Sequence, residues 1–287
     1  RRRGVASAIV TSGGSVGNIV GPPLAATLIV SAGWRSALAI MATGGLVLLL
    51  AAAALLARSP EAVGLHPDGL DEAPLASIDD DDRSTAQASR SGPFWLMLAM
   101  YSLSFVVLFI PFVHGSAFAV GLGVSRIAAA TVISSIGIGG LCGRLLVGWL
   151  SDRTDRRQAI VLALGLEVAA FAALASAQGL ALLYPAAVAF GFGYGGSVAV
   201  FPALVADYFG RTNAGAIVGR MFALAGSTAA IGPYVAALIF DGTGSYRAAF
   251  AIAAGCNAAA LGLALLLPRP PIRTPTVPSA AVSGSSA

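Results

Sequence analysis

The chain is 287 residues long, 57% hydrophobic and 10% charged, with a mean hydropathy of +0.83. That much apolar surface exceeds what a soluble core buries, which excludes a water-soluble globular domain and points to a chain solvated by lipid. The net charge of +4 does not indicate a nucleic-acid partner, because the arginines are dispersed among short loops with no aromatic-rich soluble module around them.

A helix rising about 1.5 Å per residue needs roughly 20 apolar residues to cross a ~30 Å hydrocarbon layer. Such stretches occur at Val5 to Ala32, Ala37 to Leu56, Phe94 to Val120, Ala128 to Leu150, Ala159 to Ala175, Leu180 to Val205, Ala214 to Phe240 and Ala248 to Leu267. Each run is continuous and does not alternate with polar positions, which predicts helices and not barrel strands. The expected architecture is an all-α membrane protein of about eight spans.

The chain opens on Arg1-Arg2-Arg3 without a methionine or signal peptide and passes directly into the first span, so it reads as N-terminally truncated. Residues 58–92 carry Pro60, Pro67, Pro74 and the run Asp79 to Asp82 and read as a linker. The tail from Pro268 onward, rich in Pro, Ser, Ala and Thr, is expected to be disordered. Cys142 and Cys256 fall in apolar helices and imply no disulfide framework.

All 17 basic residues are arginine, and their loop distribution orients the chain. With the N-terminus cytoplasmic, the inside loops and ends hold Arg1, Arg2, Arg3, Arg58, Arg83, Arg90, Arg153, Arg156, Arg157, Arg211, Arg269 and Arg273. The outside loops hold only Arg35, Arg126 and Arg247. Both termini are therefore expected to be cytoplasmic.

Two stretches repeat. Gly21-Pro22, Ala25, Ala26, Leu28 and Trp34-Arg35 recur as Gly232-Pro233, Ala236, Ala237, Ile239 and Tyr246-Arg247, and Gly4 and Gly215 hold matching places upstream. If span seven repeats span one, the repeating unit has six helices. Residues 1–57 are then the last two helices of one half and 93–267 the whole of the other, in a parent of twelve spans. Two rocking halves of this kind are typical of secondary transporters.

The turn after span four runs Gly143-Arg-Leu-Leu-Val-Gly148-Trp-Leu-Ser-Asp152-Arg153-Thr-Asp155-Arg156-Arg157. It resembles the signature loop of the major facilitator superfamily, which joins the second and third helices of each half. Within that superfamily, Pro111-Phe-Val-His114, Gly143-Arg144, the segment Phe201 to Arg211 and Pro60-Glu-Ala-Val-Gly-Leu-His-Pro resemble bacterial relatives of monocarboxylate transporters and oxalate-formate antiporters. The resemblance implies about eight of twelve helices of the major facilitator fold and alternating-access transport of a small organic anion, proton-coupled or by exchange. It also implies a bacterial cytoplasmic membrane.

The candidate residues follow. Arg144 lies eight residues before Asp152, about 12 Å into its helix, where an unpaired guanidinium is costly. Either an anion meets it or it snorkels to the interface. The monocarboxylate transporters carry an arginine at this place for the substrate. His114, Tyr194 and Arg220 are further candidate substrate contacts. Gly139, Gly140 and Gly143, like Gly191, Gly193, Gly195 and Gly196, offer either close helix approach or passage for a solute.

Gly143, Gly148, Asp152, Arg153, Arg156, Arg157 and Asp207 match or adjoin the family's cytoplasmic gate. There Asp152 is expected at the N-terminus of span seven near Ala214, and Arg156 or Arg157 is expected to pair with Asp207. Pro22 and Pro233 are expected to kink their helices. Glu167, mid-span, must be neutral, paired or facing water; proton coupling is one reason to keep it, and a structural role is favoured because its span resembles the family's peripheral third helix. Oxalate antiporters carry a lysine near the position of Ala225, and its absence weakens an oxalate-specific reading.

No cofactor or metal-binding set is read. A membrane enzyme using Asp79 to Asp82 for magnesium and a diphosphate is disfavoured, because the four aspartates are contiguous and no second acidic cluster matches them. Efflux of neutral or hydrophobic compounds on the same fold is the alternative to anion transport.

Overall fold

The computed structural model describes residues 3–56, 83–210 and 212–270, with side chains from residue 12 onward. Arg1, Arg2, Arg58, Arg211, Arg273, the Asp79 to Asp82 run and the tail from 271 lie outside the described residues. All described secondary structure is helical: α1 (Arg3–Leu55), α2 (Thr85–Ala88), α3 (Gly92–Leu108), α4 (Ile110–Gly121), α5 (Arg126–Ser151), α6 (Arg156–Ser176), α7 (Leu180–Phe209), α8 (Ala214–Gly226), α9 (Ile231–Thr243) and α10 (Arg247–Leu266).

The chain forms an all-α, multi-pass membrane protein. Among the described residues, seven helical stretches are long and apolar enough to cross a bilayer, and the first is divided at Gly33 (φ 77°, ψ 160°), the single non-helical residue inside α1. Eight apolar segments result among the described residues. A side chain at Gly33 would resist that positive φ. Gly244, 211 positions further on, has φ 68° and ends α9, so the repeated segments share a glycine turn that the motif comparison did not include.

Proline breaks two spans. Pro111 has no N–H for the Val107 carbonyl, which accepts the Phe109 N–H instead, so span three divides into α3 and α4. Span seven divides between Gly226 and Ile231, just ahead of Pro233. Around Pro22 and Pro23 the backbone of α1 stays helical.

The packing is governed by glycine. Gly139 and Gly143 of α5 lie against Val188 O and Phe192 O of α7, and Gly191 and Gly195 of α7 lie against Ile136 O and Gly140 O of α5. Any Cβ at these four positions would collide with the facing backbone, so these glycines serve close helix approach. Gly193 does the same toward α6, where a Cβ would fall 2.7 Å from Ala163 O and 2.6 Å from Glu167 Cγ. On the other side of α5, Gly137 admits α1, placing Ile19 N 2.9 Å from where its Cβ would be. α10 covers α6 and α3. Beyond Gly33, α1 is largely exposed, with only Ala37 buried.

Contacts at the two ends show the alternating course of the chain. Arg156 with Asp207, Arg157 with the Leu265 carbonyl, and Arg83 N–H with Phe209 O meet at one end. His114 with Tyr246, and Thr131 with Tyr184, meet at the other. Part of the expected linker, residues 83–91, is folded onto the bundle. Ser84 and Gln87 cap α2 reciprocally, at 3.2 and 2.8 Å, and Ala88 is fully buried.

Candidate functional site

Arg144 is 5% exposed and lies in the C-terminal third of α5. Gly140, one turn back, leaves the room: a Cβ there would sit 3.3 Å from both Arg144 Nη1 and Ser15 Oγ. Nη1 donates to Ser15 Oγ of α1, and the guanidinium carbon lies 5.4 Å from the centre of the Tyr194 ring of α7, a cation–π arrangement. Nε is buried with no hydrogen-bond partner, and no carboxylate among the described residues pairs with this guanidinium. Sequence reasoning offered an anion or the interface for this charge; its neighbours within the protein are a serine and an aromatic face, and Nε is left unsatisfied.

Tyr194 also lines a small cavity of about 20 Å³ between α3, α6 and α7. Its polar lining is Tyr101, Ser104, Glu167, Tyr194 and Ser197. Glu167 is 3% exposed. Oε1 accepts from Ser197 Oγ at 2.9 Å and Oε2 from Asn257 Nδ2 at 3.1 Å, while Asn257 Oδ1 accepts from Ser104 Oγ at 2.8 Å. The carboxyl group thus ties three helices, α6, α7 and α10, and Asn257 extends the network to α3. Tyr101 is packed by Phe201 at 3.8 Å between ring centres, and its hydroxyl is buried without a partner. Apart from Glu167 and Tyr194, the sequence reading did not identify this cluster. Lone Ser, Asn and Tyr residues in apolar runs carry no spacing signal, and their partners are 30 to 153 positions apart.

At the end of the bundle where α5 meets α6, Arg156 Nη1 lies 2.5 Å from Asp207 Oδ1 and Nη2 lies 3.8 Å from Asp152 Oδ1. Asp152 meets Arg156, one turn along the chain, where sequence reasoning placed it at the start of α8. Arg157 instead caps α10: Nε donates to Ala264 O at 3.3 Å and Nη2 to Leu265 O, satisfying carbonyls at a helix C-terminus. Arg153 stacks on Trp149 at 3.9 Å. Gly148 faces Ala199 of α7.

His114 uses both ring nitrogens within the protein. Nε2 lies 2.9 Å from Pro233 O, which can only accept, so Nε2 carries the proton and Nδ1 accepts from Tyr246 Oη at 3.2 Å. Arg220 is exposed on α8, while Asp207 is held by Arg156. Among the described residues, no group of three or more His, Cys, Asp or Glu is placed to hold a metal ion. Cys142 and Cys256 are free thiols.

The family model of the Major Facilitator Superfamily matches residues 1–197 and again 152–285. The chain is 28% identical over 294 residues to monocarboxylate transporter 12 of Rattus norvegicus, covering 93% of this chain and 59% of the relative. It is 28% identical over 276 residues to the Homo sapiens protein of the same name, covering 87% and 53%. With the uncharacterized MFS-type transporter YhjX of Escherichia coli it shares 26% identity over 216 residues, covering 74% and 51%. The chain thus spans between half and three fifths of the length of these relatives.

Proposed function

Because this chain belongs to the major facilitator superfamily, we propose that it works in a secondary transporter that moves a small organic anion, in the first instance a monocarboxylate. The observation that carries this reading is Arg144, buried in α5 with its Nε unpartnered and no carboxylate beside it. A guanidinium inside a span costs about 2.5–3.5 kcal/mol on insertion scales. A substrate carboxylate offsets that cost, because its two oxygens match the guanidinium fork.

Ser15 and Tyr194 position the fork. Ser15 holds Nη1 from α1 and the Tyr194 ring lies beside the cation, so the anion meets a preoriented donor set built from both halves of the fold. His114, tied to Pro233 and Tyr246, shapes the outer end, and its role is positional. Arg220 adds positive potential that draws anions.

Transport proceeds by alternating access of the two halves, by proton coupling or exchange. At the inner end the Arg156–Asp207 pair, with Asp152, Arg153 and the small residues Gly143 and Gly148, acts as the gate. The excess of arginine at this end supports a cytoplasmic location for it and for both ends of the chain.

A substrate panel tests this. The protein expressed from its natural gene is reconstituted in proteoliposomes, and uptake of lactate, pyruvate and acetate is compared with that of their uncharged amides. Saturable uptake of the carboxylates alone is expected. Uptake or extrusion of neutral compounds without carboxylate transport would overturn the anion reading in favour of efflux.

A further inference from the structure

Glu167 is held by two neutral donors, Ser197 from α7 and Asn257 from α10, and no cation among the described residues pairs with it. The titratable groups facing its cavity are Tyr101 from α3 and Tyr194 from α7. α10 contributes the uncharged Asn257. Arg144 of α5 approaches only as far as the Tyr194 ring. An ionisable side chain inside a span marks a functional position, and this one opens on a cavity that also holds the unpartnered Tyr101 hydroxyl.

We propose that Glu167 is a proton-binding site, loaded and unloaded through this cavity, and that Tyr194, shared between the two sites, couples its protonation to anion occupancy at Arg144. The coupling rests on the anion reading given above; proton binding itself does not.

The hydrogen-bond chemistry names the atom. In its present orientation Asn257 Nδ2 can only donate, so Glu167 Oε2 must stay an acceptor. The Ser197 hydroxyl can reverse from donor to acceptor. The proton therefore adds to Oε1, forming an O–H that donates to Ser197 Oγ. It comes from water entering the cavity and returns to water when the cavity opens again, with no other reactant. Tyr194 has the Arg144 guanidinium near its ring and the Glu167 cavity beside it, so a shift of its ring on anion binding changes the mouth through which that water passes.

The test has two arms. Infrared difference spectra of the reconstituted protein between acidic and alkaline pH should show a carboxyl carbonyl band that disappears in Glu167→Gln and persists with a shifted midpoint in Glu167→Asp. A spectrum that is the same in wild type and Glu167→Gln overturns the proposal, whatever the protein transports. In the second arm, proton entry on addition of lactate, read by a trapped pH dye, should fall at least about tenfold in Glu167→Gln while gradient-free exchange of labelled lactate persists.

Unchanged proton entry in Glu167→Gln overturns the coupling. A wild type that shows the titrating band but exchanges no carboxylate refutes the anion reading and leaves the proton site standing. A purely structural carboxyl would lower thermal stability without moving either the infrared band or the ratio of proton entry to exchange.

Discussion

The Arg144 guanidinium lies 5.4 Å from the centre of the Tyr194 ring, and the same ring walls the cavity that contains Glu167. A cation–π contact of this kind is worth about 0.5–2 kcal/mol, depending on desolvation. Tyr194→Leu should therefore raise the KM for a carboxylate by about 2- to 30-fold, and Tyr194→Phe, which keeps the ring, should stay near wild type. Transport kinetics of the two variants check this, and equal effects in both would show that the hydroxyl matters and the ring does not.

The α5–α7 contact should be intolerant of any side chain at its four glycines. Gly143→Ala places a methyl group against Phe192 O and is expected to cost about 1–3 kcal/mol by overpacking. Gly165→Ala, where nothing lies within 4 Å, should be neutral or slightly stabilising, since alanine favours helix by up to about 1 kcal/mol. Thermal unfolding in detergent distinguishes the two.

Asp207 and Arg156 are each about a third exposed, 31% and 29%, so solvent screens their attraction. A double-mutant cycle with Asp207→Asn and Arg156→Gln should give a coupling below about 1 kcal/mol that shrinks with added salt. If the pair acts as the proposed gate, either single variant should change the rate of transport more than the stability.

His114 and Tyr246 make a pH-dependent link at the end of the bundle opposite Arg156. Tyr246 lies between spans, and burial, then the charge of Asp241, raises its phenol above the ordinary tyrosine value. The folded state thus favours the neutral phenol. This contribution is complete below the ordinary phenol range and is lost as pH rises into that range and beyond. Tyr246→Phe removes the donor to His114 Nδ1 and should cost about 0.5–1.5 kcal/mol near neutral pH, read by thermal unfolding. Carboxylate uptake should persist.

The spans were legible because each is a long uninterrupted apolar run, and Arg144 was legible because a charge inside such a run is conspicuous. What sequence could not supply was partnership. Ser15 is 129 positions from Arg144, and nothing about a serine between two glycine-rich turns marks it as the residue that holds a guanidinium. Glu167 was visible, yet read as structural, because the cavity beside it arises only when α3, α6 and α7 are packed. The glycines of α5 and α7 were equally consistent with passage and with contact until Val188 O and Phe192 O were seen against them. The break at Gly33 was legible too, since it falls between the apolar runs that end at Ala32 and begin at Ala37.

Anion recognition by Arg144 is tested most directly by exchange of labelled lactate in proteoliposomes of Arg144→Gln, with insertion verified. Removing one partner of a buried, hydrogen-bonded charge pair typically costs about 2–5 kcal/mol, so exchange should fall by at least about thirtyfold, and Arg144→Lys should recover only part of it. Exchange at the wild-type rate in Arg144→Gln would contradict the assignment.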